Sequence, residues 1–246
     1  MTLVAETAAA LVIGNELLSG KIQEANLFDL SRLLRALGIA LKRAVIVPDD
    51  VSVISCELSL LRSTADVVFT SGGVGPTHDD VTVEAVARSF GVKAVLDSTL
   101  AGMLREVYGE RCTDAHLRMA MVPEGAALVS TPDVKWPTPL IGNVFILPGV
   151  PEIFRAKLDV VRAHLRGRRP FASKAVFLRL DEADLTLALD QVVASHPEVE
   201  IGSYPKWFEP RYKTKVTFDG RSEQAVELAL ADFVARFDSE AIARLD

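Results

Sequence analysis

The segment Thr70–Val86 limits most strongly what this chain can fold into, because it joins a strand pattern to a helix pattern through a glycine-rich turn. It reads T-S-G-G-V-G-P-T-H-D-D-V-T-V-E-A-V and follows the short apolar run 67–69, which is typical of a buried strand. Helical spacing of apolar residues begins just after Thr82. A strand, glycine turn and helix in this order present backbone N–H groups and a helix N-terminus to a ligand, which favours phosphate.

Two adjacent carboxylates, Asp79 and Asp80, lie at the end of this turn. They would repel a bare phosphate, so the pattern predicts a hard divalent cation between them and the ligand. The alternative is that they only cap the following helix and offset its dipole, for which one aspartate would be enough. His78 precedes them, either as a polar loop residue or in contact with substrate or metal.

Strand and helix patterns alternate along the first two thirds of the chain, which predicts an α/β fold with a mostly parallel sheet. Because parallel strands end at one edge of the sheet, the turns 14–20, 71–80 and 148–152 should converge on one pocket. Asn26 is predicted to cap the helix that follows it. In the turn 71–80, here called the glycine turn, no third glycine follows Gly73-Val74-Gly75 at the spacing of the dinucleotide fingerprint. The Gly-Lys-Ser/Thr of a P-loop is also missing from this turn.

Residues 166–170 carry three arginines, a glycine and a proline, and this composition predicts a linker. The pattern beyond it is strand, helix, two strands and a helix, which indicates a small α+β domain. We therefore expect a domain at 1–167 and a second at 171–246. The aromatic and basic stretch 204–213 predicts either an ordinary hairpin edge or a segment that stacks on a nucleotide base.

Bulk composition excludes several classes of function. The net charge of −6 and the pI near 5.3 argue against a nucleic-acid surface. Cys56 and Cys112 stand alone, so neither a zinc site nor a disulfide is indicated, and Cys56 is expected in the core. The start of the chain lacks the basic region of a signal peptide, and no apolar run reaches the length of a membrane span. We expect a soluble, cytoplasmic protein.

The stretch G-G-V-G-P-T-H-D-D-V-T resembles the hallmark loop of the molybdopterin-binding (MoCF) domain family. It is most similar to the competence/damage-inducible protein A (CinA) branch and to the molybdopterin-binding domain of FAD synthase. The similarity continues at Ile13–Gly20, at Asn26 and at Leu147–Glu152, and the segment Ile201–Trp207 resembles the second half of the FAD synthase type. It covers nearly the whole chain and implies a three-layer sheet domain followed by the smaller α+β domain.

The resemblance implies a metal-dependent nucleotide pyrophosphatase, a hydrolase of phosphoanhydride bonds in ADP-ribose-like or FAD-like dinucleotides. Asp80 matches the family's essential aspartate, and Asp79 with Asp80 would hold Mg, Mn or Co. The expected ligand and phosphate contacts are Asn15, Glu16, Ser71, Gly72, Gly73, Gly75, Pro76, Thr77, His78, Thr82, Pro148 and Gly149. Many CinA sequences have aspartate where this chain has Asn15, which shifts the expected metal site towards the later pair.

A second reading is a module that binds molybdopterin, or its adenylated form, at the same loop without turnover. Both readings expect a small nucleotide or pterin ligand, and the family implies a homo-oligomer. The chain shows neither the deamidase domain of CinA nor the reductase-like synthase domain of FAD synthase, so those two activities are not expected of it.

Overall fold

The computed structural model describes residues 2–246, which divide into two compact units, one ending at Arg168 and the other spanning Arg169–Asp246. None of the helices in that range combines the length and the apolar character that crossing a bilayer requires.

The first unit is built on a six-stranded sheet flanked by helices. The strands of the whole unit, which include two separate strand pairs, are β1 (Leu3–Ala5), β2 (Thr7–Ile13), β3 (Ala40–Val47), β4 (Val67–Ser71), β5 (Ala94–Leu96), β6 (Met121–Pro123), β7 (Ala127–Thr131), β8 (Val134–Ile141), β9 (Val144–Leu147) and β10 (Leu165–Gly167). Its helices are α1 (Asn15–Leu18), α2 (Asn26–Ala36), α3 (Val51–Thr64), α4 (Thr82–Phe90), α5 (Ser98–Tyr108), α6 (Asp114–Arg118) and α7 (Pro151–His164).

The large sheet has the order β3-β2-β4-β9-β8-β7, in which β3, β2, β4 and β9 are parallel and β8 and β7 are antiparallel. Alternate residues of β2 face opposite sides, as strand geometry requires. Ala8 and Ala10 pack in one core with α2 and α7, and Ala9 and Leu11 pack in another with α3 and α4. The predicted three-layer, mostly parallel architecture is confirmed.

The hairpin β7–β8 was not predicted, because Pro137 and Pro139 argue against a strand in the sequence. The structure accommodates both prolines because β8 pairs with β9 only at Leu140 and Ile141, so the preceding part of β8 has β7 as its partner. The apolar spacing of residues 100–121 predicts a helix that reaches Met121, but Met121 begins β6.

One further expectation is wrong. Cys56 is exposed, because the helical period of α3 turns Ile54, Leu58 and Leu61 inward and leaves Cys56 on the outer face. The expected linker begins as a strand, since β10 pairs in parallel with β1 and Leu165 is buried. Gly167 donates its N–H to Leu37 O at 2.9 Å, and a Cβ there would lie 2.1 Å from that oxygen, so this glycine serves close packing.

The second unit is the smaller α+β unit that the pattern predicted. It contains β11 (Ala172–Leu178), α8 (Glu182–Ser195), β12 (Glu200–Pro205), β13 (Thr214–Gly220), α9 (Glu223–Val234) and β14 (Ile242–Leu245). The sheet is antiparallel in the order β12-β13-β11-β14, and β14 was missed. Both helices contribute to a single apolar core on this sheet.

The aromatic and basic stretch forms the connection from β12 to β13 in this unit. Two of its cations have partners, since Arg211 pairs with Glu209 at 2.7 Å and Lys213 with Asp181 at 2.6 Å. The Tyr212 ring meets Phe177 edge-on, whereas Trp207 is 88% exposed. These contacts favour the hairpin-edge reading.

Candidate functional site

The three turns expected to converge do meet at the carboxyl ends of β2, β4 and β9, around a cavity of about 320 Å³. We call it the turn cavity. Its lining combines the end of β2 and α1, the glycine turn, the turn before α7 and the segment that leads into α2. Its lining includes Glu16, Asn26, Asp49, Ser71, Gly72, Gly73, Asp79 and Gly149.

Asn26 ties these turns together. Its Nδ2 donates to Ser71 Oγ at 3.0 Å and to Gly149 O at 2.8 Å, and the residue is buried. The prediction that Asn26 caps α2 is wrong, because its side chain points across to the other two turns, and Glu24 Oε1 accepts from Leu27 N instead. Asn26 Oδ1 is buried and has no hydrogen-bond partner within residues 2–246, so an acceptor is left over.

The glycine turn owes its shape to positions that exclude side chains. Gly72 and Gly73 have φ of 106° and 66°, and a Cβ would lie 2.2 Å from Ile13 O and 2.3 Å from Thr82 Oγ1, respectively. Thr82 is fully buried and donates its hydroxyl to Gly72 O at 2.8 Å, so it supports the turn from beneath. Among the described residues, no acceptor pairs with the backbone N–H groups of Gly73, Val74 and Gly75.

The two carboxylates occupy different environments. Asp79 lines the turn cavity and its side chain is 58% exposed, whereas Asp80 Oδ2 accepts from Thr77 N at 2.8 Å and from Thr77 Oγ1 at 2.5 Å. No side-chain hydrogen bond caps the N-terminus of α4, so the capping-only interpretation lacks its contact. Asp80 instead closes the turn, and a Cβ on Gly75 would meet its Oδ2 at 2.7 Å.

Thr77 also influences Asp79. Hydrogen bonding to the Thr77 hydroxyl is the main cause that lowers the pKa of Asp79, followed by its own backbone amide and by attraction to His78. The Thr77 hydroxyl has a single proton, and its 2.5 Å distance to Asp80 Oδ2 shows that it donates to Asp80. Asp79 therefore receives this hydrogen bond only when the Thr77 side chain rotates. His78 is 95% exposed, with Nδ1 4.0 Å from Asp79 Oδ1.

The first turn contributes Glu16 of α1, and a residue after β3 that the sequence analysis missed lines the same cavity. Glu16 lines the turn cavity, but Asn15 does not, and the Asn15 N–H donates to Asp49 Oδ2 at 2.8 Å. Asp49 follows β3 and also lines the cavity. Its position at the carboxyl end of a parallel strand, before a helix, was the signal that could have identified it.

Some of the predicted residues line a different cavity of the first unit. Gly75, Pro76 and Pro148 line a second cavity of about 540 Å³, here called the apolar cavity, and Gly149 lines both. The cavity-lining predicted residues therefore divide between two cavities of the first unit, and neither lining includes Asn15, Thr77, His78, Asp80 or Thr82.

Family models match both units. A model described as a probable molybdopterin-binding domain matches residues 9–166, and one described as the middle domain of FAD synthase matches residues 170–246. The matched ranges correspond to the two structural units.

Similar proteins carry related names. A protein of Archaeoglobus fulgidus is 33% identical over 90% of this chain and 93% of its own length. A probable FAD synthase of Caenorhabditis elegans is 31% identical over 96% of this chain, and a CinA-like protein of Myxococcus xanthus is 32% identical over 90%. The chain spans about half the length of these two relatives, 52% and 56%.

A solved structure resembles the first unit of this chain. The crystal structure of the protein CinA from Thermoplasma acidophilum, described as of unknown function, has a TM-score of 0.59 and is 31% identical. The match covers 65% of this chain and 97% of that one.

Proposed function

This chain belongs to the molybdopterin-binding domain family, with the CinA-like and FAD synthase-like proteins, and we propose that it is a metal-dependent pyrophosphatase of ADP-ribose-like or FAD-like dinucleotides. The observation that carries the proposal is the chemistry of one cavity. The unpaired amide of Gly73 and the carboxylate of Asp79 line it together, and the unpaired amides of Val74 and Gly75 follow in the same turn. Amides favour a phosphate there, whereas the carboxylate favours a cation that accompanies the phosphate.

The oxygen donors of the turn cavity fit a hard divalent ion. Mg²⁺ is usually held by one or two carboxylates, with phosphate oxygens of the substrate and water completing its shell. Asp79 supplies a carboxylate that lines the cavity, Asp80 is its neighbour in the chain, and the buried, unpartnered Asn26 Oδ1 supplies an amide oxygen at the same cavity. When bound, such an ion neutralises phosphate charge and lowers the pKa of a bound water.

The chain's own residues bind and orient the diphosphate. The Gly73 amide and its neighbours donate to phosphate oxygens, in a geometry that Thr82 and Asp80 hold before the ligand arrives. In the hydrolysis, a water oxygen bonds to one phosphorus while the bridging P–O bond breaks. The products are two monophosphates, and the water proton passes to solvent or to a carboxylate.

The test is to incubate the purified protein with ADP-ribose, FAD and NAD, each with Mg²⁺, Mn²⁺, Co²⁺ or EDTA, and to resolve products by mass. We expect AMP with ribose 5-phosphate, or AMP with FMN, only when metal is present. Asp79→Asn should lower the rate at least about a hundredfold, as loss of a transition-state charge contact does. Asp133→Asn, at an exposed aspartate outside both cavities, should leave the rate unchanged.

Molybdopterin binding without turnover is the second candidate, because the family model that matches the first unit is described by that ligand. It uses the same turn cavity. Absence of hydrolysis with every metal, together with saturable binding of a pterin phosphate that Gly73→Ala abolishes, would replace the enzyme proposal with this one.

A further inference from the structure

The apolar cavity is bounded by flat, rigid side chains. Its lining includes methionine and leucine side chains from α5 and its neighbours, together with the rings of Trp136, Tyr108, Pro76, Pro137, Pro139 and Pro148. Its volume of about 540 Å³ lies in the range of small-molecule sites, which are mostly apolar with a few placed polar groups. The glycine turn forms part of its wall through Val74 and Gly75.

Two polar residues interrupt this apolar lining. Thr138 is buried, and its Oγ1 has no hydrogen-bond partner within residues 2–246. Lys157 is 4% exposed, and its Nζ donates to Trp136 O and, at 3.1 Å, to Pro137 O. An ammonium has three N–H donors, so one remains after these two bonds. Burial lowers the pKa of Lys157 to about 8.

A purely structural role accounts for only part of this arrangement. The two bonds of Lys157 tie α7 to β8, which explains the lysine. They do not explain Thr138, because an unpartnered buried hydroxyl costs free energy and valine would fill the same shape without that cost. The lining therefore holds hydrogen-bonding capacity that the protein itself does not use.

We propose that the apolar cavity binds a flat, largely apolar heteroaromatic ring bearing carbonyl oxygens, of the kind found in flavins and pterins. The ring lies against Trp136, and its carbonyl oxygens accept from Thr138 Oγ1 and Lys157 Nζ. The assignment rests on the proposed function, since the diphosphate attached to such a ring would meet the glycine turn that separates the two cavities. It gives the dinucleotide a direction, with the flavin-type ring on the apolar side.

The test uses riboflavin, which carries the ring but no phosphate and so needs neither the glycine turn nor a metal. Riboflavin fluorescence should be quenched saturably on titration with the protein. Thr138→Val should weaken binding about fivefold to tenfold, as loss of one hydrogen bond does, and Lys157→Met should weaken it at least as much. Thr131→Val is the matched control, because its hydroxyl is also buried and unpartnered but lies outside the cavity.

Three further arms distinguish the outcomes. Adenosine lacks ring carbonyls and should bind more than about tenfold more weakly; equal or tighter binding would overturn the assignment in favour of a purine site. Repeating the titration with pterin in place of riboflavin shows which of the two carbonyl-bearing rings the cavity binds more tightly. Asp79→Asn should leave riboflavin affinity unchanged, so lost hydrolysis with intact riboflavin binding separates the two proposals. Failure of both riboflavin and pterin to bind refutes the ring site even if dinucleotides are hydrolysed.

Discussion

Asn26 and Gly149 are 123 residues apart in sequence, yet Asn26 Nδ2 lies 2.8 Å from Gly149 O. The same amide group reaches Ser71 Oγ at 3.0 Å, so one side chain joins the start of α2 to the ends of β4 and β9. Both of its N–H donors are used within the protein, while its oxygen remains unpaired beside the turn cavity. Asn26 therefore combines an amide NH2 group that holds the turns together with a carbonyl oxygen that suits a ligand or cation.

We expect Asn26→Asp to destabilise the first unit. The change removes both donors and leaves a buried carboxylate facing the Gly149 carbonyl oxygen. The free energy of unfolding in urea should fall by about 2–4 kcal/mol. Asn143→Asp is the matched control, because Asn143 Nδ2 also donates to two carbonyls, Arg62 O and Ala65 O, away from the turn cavity. Both variants should lose stability, but only Asn26→Asp should lose hydrolysis at a temperature where both are folded.

Gly73→Ala should distort the glycine turn. Alanine at φ of 66° costs about 1–2 kcal/mol, and its Cβ would also displace the Thr82 hydroxyl from Gly72 O. Thermal unfolding should show a loss of more than about 2 kcal/mol, and phosphate binding should disappear. Gly91→Ala separates the effects, since Gly91 has φ of 68° but open space around it. If both variants lose the same stability and neither loses activity, the turn does not bind phosphate.

The sequence predicted the elements whose signal is local. β2, β4 and β9 are short, continuous apolar runs, and the parallel order follows from the helices between them. The role of Asn26 could not be predicted, because nothing near it in sequence indicates a contact with Gly149. The apolar cavity that takes up Gly75, Pro76 and Pro148 is lined in part by β8, and the two prolines of β8 argue against a strand in the sequence. Local chemistry thus located the turn, and the pairing of distant segments determined what surrounds it.

The buried Lys157 makes stability depend on pH. Its folded pKa of about 8 is below the ordinary lysine pKa of 10.5, so the charge is buried at neutral pH and is lost from the folded protein first as pH rises. Between about pH 8 and 10.5 the unfolded state binds more protons, so stability rises with pH, by up to roughly 3 kcal/mol. Relative to Lys157→Met, the wild type should gain stability from pH 7 to pH 10.

Urea unfolding followed by Trp136 fluorescence in a Trp207→Phe background reports this difference for the first unit. Lys135→Met, at an exposed lysine of the same strand as Trp136, should change stability equally at both pH values. A constant difference between wild type and Lys157→Met would mean that Lys157 remains charged throughout.

Limited trypsin digestion should cut first after Arg168. Arg166 lies in β10, which pairs with β1, and Arg169 precedes a proline that blocks trypsin. The products should be two resistant fragments, identified by mass, and Arg168→Gln should delay their appearance. Early cleavage within 206–213, or persistent cleavage at Arg166 in the Arg168→Gln protein, would place the boundary elsewhere.

The pairing of β1 with β10 also sets an order for biosynthesis. Leu3 lies opposite Leu165 and Ala5 opposite Gly167, so within this unit the strand that is translated first pairs with the strand that is translated last. The central sheet can form beforehand, because β9 ends at Leu147. During translation, a nascent chain that holds this sheet still carries an unpaired leading strand, and that strand docks only once β10 has emerged.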